Sequence, residues 1–357
     1  MVIIYAGVAA AMLFNVLSNV VRALGDSRTP LYFLIWASIL NILLDLVLIL
    51  HFNMGVAGAA VATVLSQAVS GLLCIFYIVK KFPMLHVRLS DFRALRGREL
   101  WQHVRLGLPM GFQASIIGIG VIILQYVLNG QGALTVAAFT AAQKIEQFTC
   151  QPFSSFGMTM ATFAAQNYGA GLRERIKQGV HGCAAMSLGY GAAIMALNIL
   201  AGGMLARFFV GNAPAEITAA HQYLNITSLF YPTLSLLFIF RFTLQGLGQG
   251  VAPTIAGIME LTMRALGVLL LAGPLGFSGI CVAYALAWPG SMTPLLISYL
   301  FTMRSLVGAR GGTPHPPGGG PVKPAAIPAG TGGRRTIRAR YGRIFHSYKQ
   351  KSGTDHS

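Results

Sequence analysis

The stretch "RALGDSRTP" (residues 22–30) separates two long apolar runs near the start of the chain, and "QGLGQGVAP" (residues 245–253) has the same spacing of Gly and Pro. Both stretches contain Leu-Gly, then four residues, then Pro. Further along, "MGVAGAAVATVL" (residues 54–65) matches "LGFSGICVAYAL" (residues 275–286) in two glycines and three aliphatic residues. A hinge, an apolar helix and a glycine-containing helix therefore recur in the same order, which predicts an internal structural repeat.

The composition indicates a membrane protein. Hydrophobic residues make up 55% of the 357 residues and charged residues 10%, whereas soluble domains contain about 25% charged residues. The net charge of +17 is compatible with nucleic-acid binding, but 7 of the 26 Lys and Arg lie between Lys80 and Arg105 and 10 between Arg304 and Lys351. Basic residues gathered in loops and tails are typical of helical membrane proteins, whose orientation they set.

Nine apolar segments are long enough to cross a bilayer, which takes about 20 residues in a helix. We therefore predict an all-α polytopic membrane protein with about nine transmembrane helices. The fifth segment contains Pro152, where a kink is expected. The predicted segments are residues 2–24, 31–51, 56–79, 107–128, 133–165, 180–206, 221–244, 252–272 and 277–302.

Basic residues alternate between the breaks that separate these segments. The positive-inside rule places the Lys80–Arg105 loop and the tail in the cytoplasm and Met1 outside. Because six helices separate the two hinges, both copies have the same orientation, as in a parallel repeat of two pseudo-symmetric bundles. The predicted parts are a partial N-terminal lobe of three helices (1–80), a basic cytoplasmic inter-lobe loop (81–105), a C-terminal lobe of six helices (106–303) and a disordered, basic, Pro/Gly-rich tail (304–357).

The architecture favours transport over catalysis. Helical membrane proteins built from repeats are predominantly transporters with a site between the repeats. The sequence contains no Gly-Lys dipeptide and so lacks a phosphate-binding Walker loop, which means that uphill transport would need an ion gradient. We predict neither an enzyme nor a cofactor nor a bound metal, since the four cysteines lie far apart in apolar runs: Cys74, Cys150, Cys183 and Cys281.

Seven short stretches resemble, in order, the multidrug and toxic compound extrusion (MATE) family of cation-coupled efflux antiporters. The resemblance extends from residue 1 to about residue 303. It implies two six-helix lobes around a V-shaped central cavity and the exchange of cationic drugs for H⁺ or Na⁺. The stretches are "RALGDSRTP", "NILLD" (41–45), "GVAGAAVATVLSQ" (55–67), "RLGLP" (105–109), "AAQKI" (141–145), "AQNYGAG" (165–171) and "QGLG" (245–248).

The first hinge lies unusually near Met1 in comparison with the second repeat. By that comparison roughly 118 residues, enough for three helices, are expected to be missing ahead of Met1. The resemblance implies a coupling Asp on a helix that would fall in that part. In one branch of the family an acid also lies on the first helix of the second lobe, whereas residues 107–128 contain neither Asp nor Glu. We expect the chain alone to be poorly stable and inactive.

Two pairs of polar residues within helices are candidates for cation or proton coupling. A charge at the bilayer centre costs about 2.5–3.5 kcal/mol, so such residues usually face a cavity or a partner. Asn41 and Asp45 share one helix face, and Glu260 and Arg264 are four residues apart on another helix. For both pairs a purely structural role, as a hydrogen-bonded carboxylate or a fixed ion pair, stays open. Arg241 is expected to lie near the cytoplasmic end of its helix and to extend into the interface.

A polar stripe on the fifth segment predicts the wall of a cavity. Its members recur at helical spacing, with one carboxylate beside them. Lys144 is expected to point away from this stripe. Two further glutamines on other helices are candidate cargo contacts. The cavity candidates are Gln67, Gln143, Glu146, Gln147, Ser154 and Gln245.

The sequence thus predicts an H⁺- or Na⁺-coupled antiporter that exports drugs or organic cations across the plasma membrane. Its partners would be the lipid bilayer and small, cationic organic substrates, with no nucleic acid and no obligate protein partner. The C-terminus would be cytoplasmic. One alternative is a lipid-linked oligosaccharide flippase of the same superfamily, which would need several basic residues in its cavity; Lys144, Arg241 and Arg264 are the candidates. Another is a truncated, non-transporting membrane fragment.

Overall fold

The structure is a computed structural model that describes residues 2–82, 85 and 97–308, a part of the chain that contains helices and no strands. The first four helices are α1 (Val2–Ala6), α2 (Val8–Ala23), α3 (Arg28–Leu46), which continues into a π-helical turn (Val47–His51), and α4 (Gly55–Lys81). The others are α5 (Gly97–Asn129), α6 (Ala133–Gly169), α7 (Arg173–Val210), α8 (Pro214–Ser228), α9 (Tyr231–Gly246) and α10 (Val251–Gly308).

The predicted all-α membrane architecture is confirmed. Within the described residues five helices are long and apolar enough to cross a membrane, or six when α8 and α9, which meet at 54°, count as one broken span. The 58-residue helix α10 holds two predicted segments, because its backbone breaks at Gly276 with φ +53°. Gly55, the equivalent residue of the first copy, has φ +54°. Helix α6 continues through Pro152.

Several helices extend beyond their predicted ends. Helix α5 begins at Gly97, within the predicted loop 81–105, and α10 reaches Gly308, within the predicted tail. Hydropathy marks where a segment becomes polar, but a helix continues wherever its backbone hydrogen bonds continue. The rest of the predicted loop (83–84 and 86–96) and of the predicted disordered tail (309–357) lies outside the described residues.

The helices pack in two groups, α1–α4 and α5–α10, whose main mutual contact lies between α2 and α6. The second group, hereafter the C-terminal lobe, has a core of fully buried aromatic side chains that includes Tyr223, Tyr231 and Phe153. Helix α3 of the first group buries only Pro30 and Ala37. Side chains held in fixed positions are therefore concentrated in the C-terminal lobe.

The repeated sequence adopts the same backbone conformation in a first hinge (residues 20–30) and a second hinge (residues 243–253). Gly25 has φ +92° and Gly248 has φ +79°, a region that glycine enters without steric cost. In each hinge three amides donate to carbonyls of the preceding helix, which satisfies its C-terminal end. The bonds are Leu24 to Val20 (3.1 Å), Gly25 to Arg22 (3.0 Å) and Asp26 to Val21 (3.2 Å), and, at the same offset, Leu247 to Thr243 (3.0 Å), Gly248 to Gln245 (2.9 Å) and Gln249 to Leu244 (2.9 Å).

The side chains of the first hinge form a charged network around Asp26. Its carboxylate accepts hydrogen bonds from the backbone N–H (3.1 Å) and the hydroxyl (2.8 Å) of Thr29 and from the hydroxyl of Tyr77, and Lys81 Nζ lies 3.5 Å away. Partial burial opposes ionisation of Asp26. The bonds from Tyr77 and Thr29 and the charge of Lys81 outweigh it and hold the pKa of this carboxyl well below its usual value. Asp26 thereby fixes the start of α3 to the end of α4.

The second hinge has a neutral network in the same place. Gln249, the counterpart of Asp26, donates from Nε2 to Thr302 Oγ1 (2.8 Å) and accepts from Ser298 Oγ (3.2 Å). Ser298 and Thr302 correspond to Tyr77 and Lys81 at the offset of 221 that relates the two glycine-containing helices. The two copies therefore connect equivalent helices through different chemistry.

Candidate functional site

A cavity of about 670 Å³ lies among the helices of the C-terminal lobe. Helices α5, α6 and α9 and both halves of α10 enclose it. Its wall combines apolar and aromatic side chains with a few charged and amide groups, the usual composition of a small-molecule site. The lining residues are Ile117, Val121, Gln125, Thr140, Gln143, Lys144, Glu146, Gln147, Cys150, Leu234, Leu237, Phe238, Arg241, Glu260, Arg264, Tyr284 and Trp288.

This cavity brings together predicted residues from distant parts of the sequence. Gln143, Glu146 and Gln147 line it from α6, and Glu260 and Arg264 line it from α10. These residues were predicted separately, as a cavity wall and as a coupling pair, and they share one cavity.

Glu260 lies at the centre of a buried ion cluster. Arg241 Nη2 donates to its Oε2 at 2.9 Å, and Arg264 Nη2 donates to its Oε1 at 3.1 Å. Arg241 Nη2 also donates to Ser291 Oγ at 3.1 Å, which ties α9 to both halves of α10. Removing one member of such a cluster leaves an uncompensated buried charge, which costs about 3–5 kcal/mol. Arg241 and Glu260 therefore hold helices together, whatever else they do.

The expected interfacial position of Arg241 is wrong. Its side chain is 9% exposed and paired with Glu260, because the cluster supplies a counter-charge within the helical lobe. Lys144, which helical spacing places about 100° from Gln143, is exposed and lines the cavity together with it. The cavity curves far enough around α6 to include side chains about 100° apart on the helix.

Three buried guanidinium nitrogens have no hydrogen-bond partner in the described part of the chain: Nε of Arg241, and Nε and Nη1 of Arg264. The Arg264 guanidinium carbon lies 4.9 Å from the ring centroid of Tyr284, a cation–π distance. Leaving a buried donor without an acceptor costs about 1–3 kcal/mol. The cluster is thus held in place by ion pairs and an aromatic ring but keeps unused donors.

Glu146 is the second carboxylate of the cavity and differs from Glu260 in its partners. It is 5% exposed and accepts a hydrogen bond of 2.6 Å from the hydroxyl of the fully buried Tyr223. Its Oε1 has no partner, and it forms no ion pair with any residue that the structure describes. A carboxylate with one free oxygen and no bound counter-charge can accept a proton or contact a cation.

The cavity offers little to a tightly bound metal. Within residues 2–82 and 97–308 no three His, Cys, Asp or Glu side chains come together as a metal-binding group. All four cysteines are free. A cation here would rely on one carboxylate together with amide and hydroxyl oxygens.

Two of the predicted cavity residues lie elsewhere. Ser154 Oγ donates to the carbonyl of Gln151 (2.8 Å) and does not line the cavity, since it is about 10 Å farther along α6 than Gln147. Gln245 Nε2 donates to Gln113 Oε1 (3.2 Å) and lines a different cavity of about 750 Å³ beside the first hinge.

The predicted polar residues of the first lobe also lie apart from the cavity of the C-terminal lobe. Asn41 Nδ2, Asp45 Oδ1 and Gln67 Oε1 are buried and have no hydrogen-bond partner among the described residues. Asp45 directly precedes the end of α3, where the π-helical turn begins. Such turns occur often at functional sites.

Sequence reasoning missed the aromatic part of the wall. Tyr284 and Trp288 line the cavity from the second half of α10, and Phe238 lines it from α9. Tyr284 and Trp288 are four residues apart and so share a helix face. The spacing is visible in the sequence, but aromatic residues four apart occur both in cavity walls and in packed cores.

Two family models match the chain. The model described as MatE matches residues 109–270, which supply most of the cavity lining and the second hinge. The model described as Lipid II flippase MurJ matches residues 2–101.

Among curated relatives, the probable multidrug resistance protein YpnP of Bacillus subtilis is 29% identical over 298 residues, which are 83% of this chain and 66% of YpnP. The multidrug export protein MepA of Staphylococcus saprophyticus is 25% identical over 297 residues, which are 83% of this chain and 65% of MepA. The chain therefore spans just under two-thirds of the length of these relatives.

Solved structures share the fold. A MATE protein crystallised with MaL6 superposes with a TM-score of 0.76 at 23% identity, covering 86% of this chain and 69% of that one. A MOP superfamily transporter from Pyrococcus furiosus, described as having reverse polarity in its binding pocket, gives 0.76 at 22% identity and covers 86% and 68%. These solved structures show the fold, while the MatE match over residues 109–270 and the similarity to multidrug export proteins make the chain similar to transporters of the multidrug and toxic compound extrusion (MATE) family.

Proposed function

We propose that the chain forms part of a cation-coupled antiporter that exports drugs or organic cations across the plasma membrane in exchange for H⁺ or Na⁺. The observation that carries the proposal is the buried Glu146, which faces a cavity of about 670 Å³ with one oxygen unused. The names of the relatives YpnP and MepA, which are described as multidrug resistance and export proteins, support the same cargo class.

Glu146 has the properties that exchange requires. A carboxylate within a membrane helix is costly, so it binds whichever cation is available, a proton from one side or a cationic cargo from the other. Tyr223 holds one of its oxygens through a hydrogen bond and leaves the second free. Cargo and coupling ion would therefore compete for one group, which is the simplest basis of antiport.

The other acidic candidates differ in suitability. Glu260 is already neutralised by Arg241 and Arg264, so binding a further cation would require breaking ion pairs. Asp45, with Asn41 beside it, keeps a buried oxygen without a partner and is our second coupling candidate, in the first lobe. We further propose that the C-terminus is cytoplasmic and that no obligate protein partner is required, as the distribution of basic residues supports.

The test is transport by the purified 357-residue protein in proteoliposomes that carry an H⁺ or Na⁺ gradient. The proposed function requires that addition of ethidium collapse the gradient, a result that would overturn the expectation of an inactive chain. Glu146→Gln, which preserves volume but cannot ionise, should abolish that collapse. Glu174→Gln, at an exposed residue in the first turn of α7, is the matched control. Unchanged exchange in Glu146→Gln would remove Glu146 from the mechanism, and the absence of exchange in the unaltered protein would contradict the proposed function.

A lipid-linked oligosaccharide flippase is the second candidate, favoured by one specific observation. All three basic candidates, Lys144, Arg241 and Arg264, line the same cavity, as binding of a phosphate-bearing lipid would need. The match of residues 2–101 to the MurJ model adds support. Translocation of a fluorescent lipid-linked sugar in the same proteoliposomes, with no collapse of the gradient by ethidium, would favour the flippase.

A further inference from the structure

The cavity of the C-terminal lobe carries more positive than negative charge. Its lining contains Lys144, Arg241 and Arg264 but only two carboxylates, Glu146 and Glu260. Even with both carboxylates ionised, the formal charge of the lining is +1. A simple organic cation would therefore enter a site whose own field opposes it.

The positive groups also keep unused hydrogen-bonding capacity. A guanidinium has five N–H donors, and the structure shows three buried nitrogens without an acceptor on Arg241 and Arg264, which are 8% and 2% exposed. Buried donors of this kind need an acceptor, and a bound anion is one that would satisfy them. Both side chains line the cavity, so a small rotation of either guanidinium would present its unused donors to an acceptor there.

Lys144 adds an accessible cation to the lining, on a different helix from the two arginines. It is exposed to the cavity from α6 and forms neither an ion pair nor a hydrogen bond with any residue in 2–82 or 97–308. The same lining includes the aromatic side chains of Trp288 and of Tyr284, whose ring contacts Arg264. A flat apolar body can stack on such rings while a charged substituent reaches the basic groups.

We propose that this cavity binds cargo that carries an anionic group, a carboxylate or a phosphate, on an apolar or aromatic body. Zwitterions and amphiphilic anions then bind more tightly than simple organic cations. The anionic group contacts Arg264 and Lys144, and any cationic part of the cargo lies towards Glu146. The inference rests on the exporter proposed above and narrows its cargo from drugs or organic cations in general to those that carry an anionic group; the binding preference belongs to the cavity and is measurable without transport.

A pair of dyes provides the test. Rhodamine 110 carries a free carboxylate where rhodamine 123 carries its methyl ester, and the two share the same aromatic cation. Fluorescence polarisation with the purified 357-residue protein in detergent should show rhodamine 110 binding about tenfold more tightly, a factor that corresponds to roughly 1.4 kcal/mol. Equal binding of the two dyes, tighter binding of rhodamine 123, or no binding of either would overturn the proposal.

Two variants locate the contact. Lys144→Gln should weaken the binding of rhodamine 110 by about threefold and leave the binding of rhodamine 123 unchanged or tighter. Arg264→Gln should remove the preference for rhodamine 110 altogether. Lys177→Gln, at an exposed lysine outside the cavity on α7, is the matched control and should change neither affinity. If Arg264→Gln does not fold, Lys144→Gln decides by itself, because its exposed side chain supports no packing. A preference that survives Lys144→Gln unchanged contradicts the assignment.

A competition experiment separates the two sources of an anionic group. Displacement of rhodamine 110 by farnesyl diphosphate but not by farnesol would assign the site to a phosphate-bearing lipid. If rhodamine 110 stays bound in the presence of farnesyl diphosphate and of farnesol, the site would be assigned to a water-soluble cargo. Proteoliposome exchange is scored separately: preference without exchange would overturn the exporter and keep the site, and exchange without preference would overturn the site and keep the exporter.

Discussion

The two hinges have the same backbone and opposite side-chain chemistry. Three equivalent amide-to-carbonyl bonds and one glycine with positive φ recur in each. In the first hinge the side chains that join the helices are ionisable, Asp26 with Tyr77 and Lys81. In the second hinge they are neutral, Gln249 with its two hydroxyl partners.

The comparison separates what the fold requires from what it tolerates. The chain reversal requires a glycine and three backbone amides that donate to the last carbonyls of the preceding helix, and both hinges contain them. A side-chain link between the start of one helix and the end of the next is present in both, but its charge differs. Four experiments test this separation, in order of the expected effect.

The largest effect is expected where one hinge packs against α6. A Cβ added at Gly246 would lie 2.3 Å from the carbonyl oxygen of Ala161, so Gly246→Ala should lower the free energy of unfolding by about 3 kcal/mol. The first hinge has Ala23 at the equivalent position, and Ala23→Gly should cost less than about 1 kcal/mol. Thermal unfolding in detergent, followed by tryptophan fluorescence, measures both. A Gly246→Ala protein as stable as the unaltered one would contradict the close packing.

The side-chain networks should differ in strength. Asp26→Ala removes the acceptor of a backbone amide at the start of α3 and leaves Tyr77 and Lys81 without it, a loss of about 2 kcal/mol. Gln249→Ala removes two neutral hydrogen bonds and should cost about 1 kcal/mol. The same unfolding assay compares them. Equal losses in the free energy of unfolding would mean that the charge of Asp26 adds no stability to the first hinge.

The hinge glycines should be equivalent. Gly25→Ala and Gly248→Ala each place a Cβ in a left-handed conformation with open space around it, so only backbone strain of about 1 kcal/mol is added. Similar shifts of the unfolding midpoint are expected. A clear difference between the two variants would show that the hinges do not share their backbone energetics.

The smallest effect is a pH dependence confined to the first hinge. Because the pKa of Asp26 is lowered in the folded state, its contribution is fully present above the unfolded value of about 4 and is lost as the pH falls below it. Asp26→Asn should therefore be less stable than the unaltered protein at pH 7, and the difference should shrink below about pH 4. Gln249→Ala should show a pH-independent difference. A constant gap for Asp26→Asn would contradict the role of its charge.

Much of the fold follows from local sequence. Gly and Pro spacing identified both hinges, and apolar length identified the helices, because each depends on neighbouring residues only. The link from Asp26 to Tyr77 spans 51 residues and depends on how α3 packs on α4, which no local pattern gives. A clue was nevertheless present, since the offset of the repeat pairs Tyr77 and Lys81 with two hydroxyl residues on α10.

The site was predictable only in part. The spacing of Glu260 and Arg264 predicted their ion pair, and the stripe on α6 predicted a polar wall at Gln143 and Gln147. Arg241 was misplaced because its counter-charge is on another helix. Charge at helix ends and charge within a helical lobe look the same in one sequence, and only packing distinguishes them.

One helix contacts both hinges, and this has a mechanical consequence. The Nε2 of Gln166 donates to the carbonyl of Ala23 at 3.0 Å, and five residues earlier on α6 the backbone of Ala161 lies against Gly246. The end of α6 therefore connects the two hinges directly. If one group of helices moves relative to the other, the end of α6 either moves with both hinges or the hydrogen bond between Gln166 and Ala23 breaks.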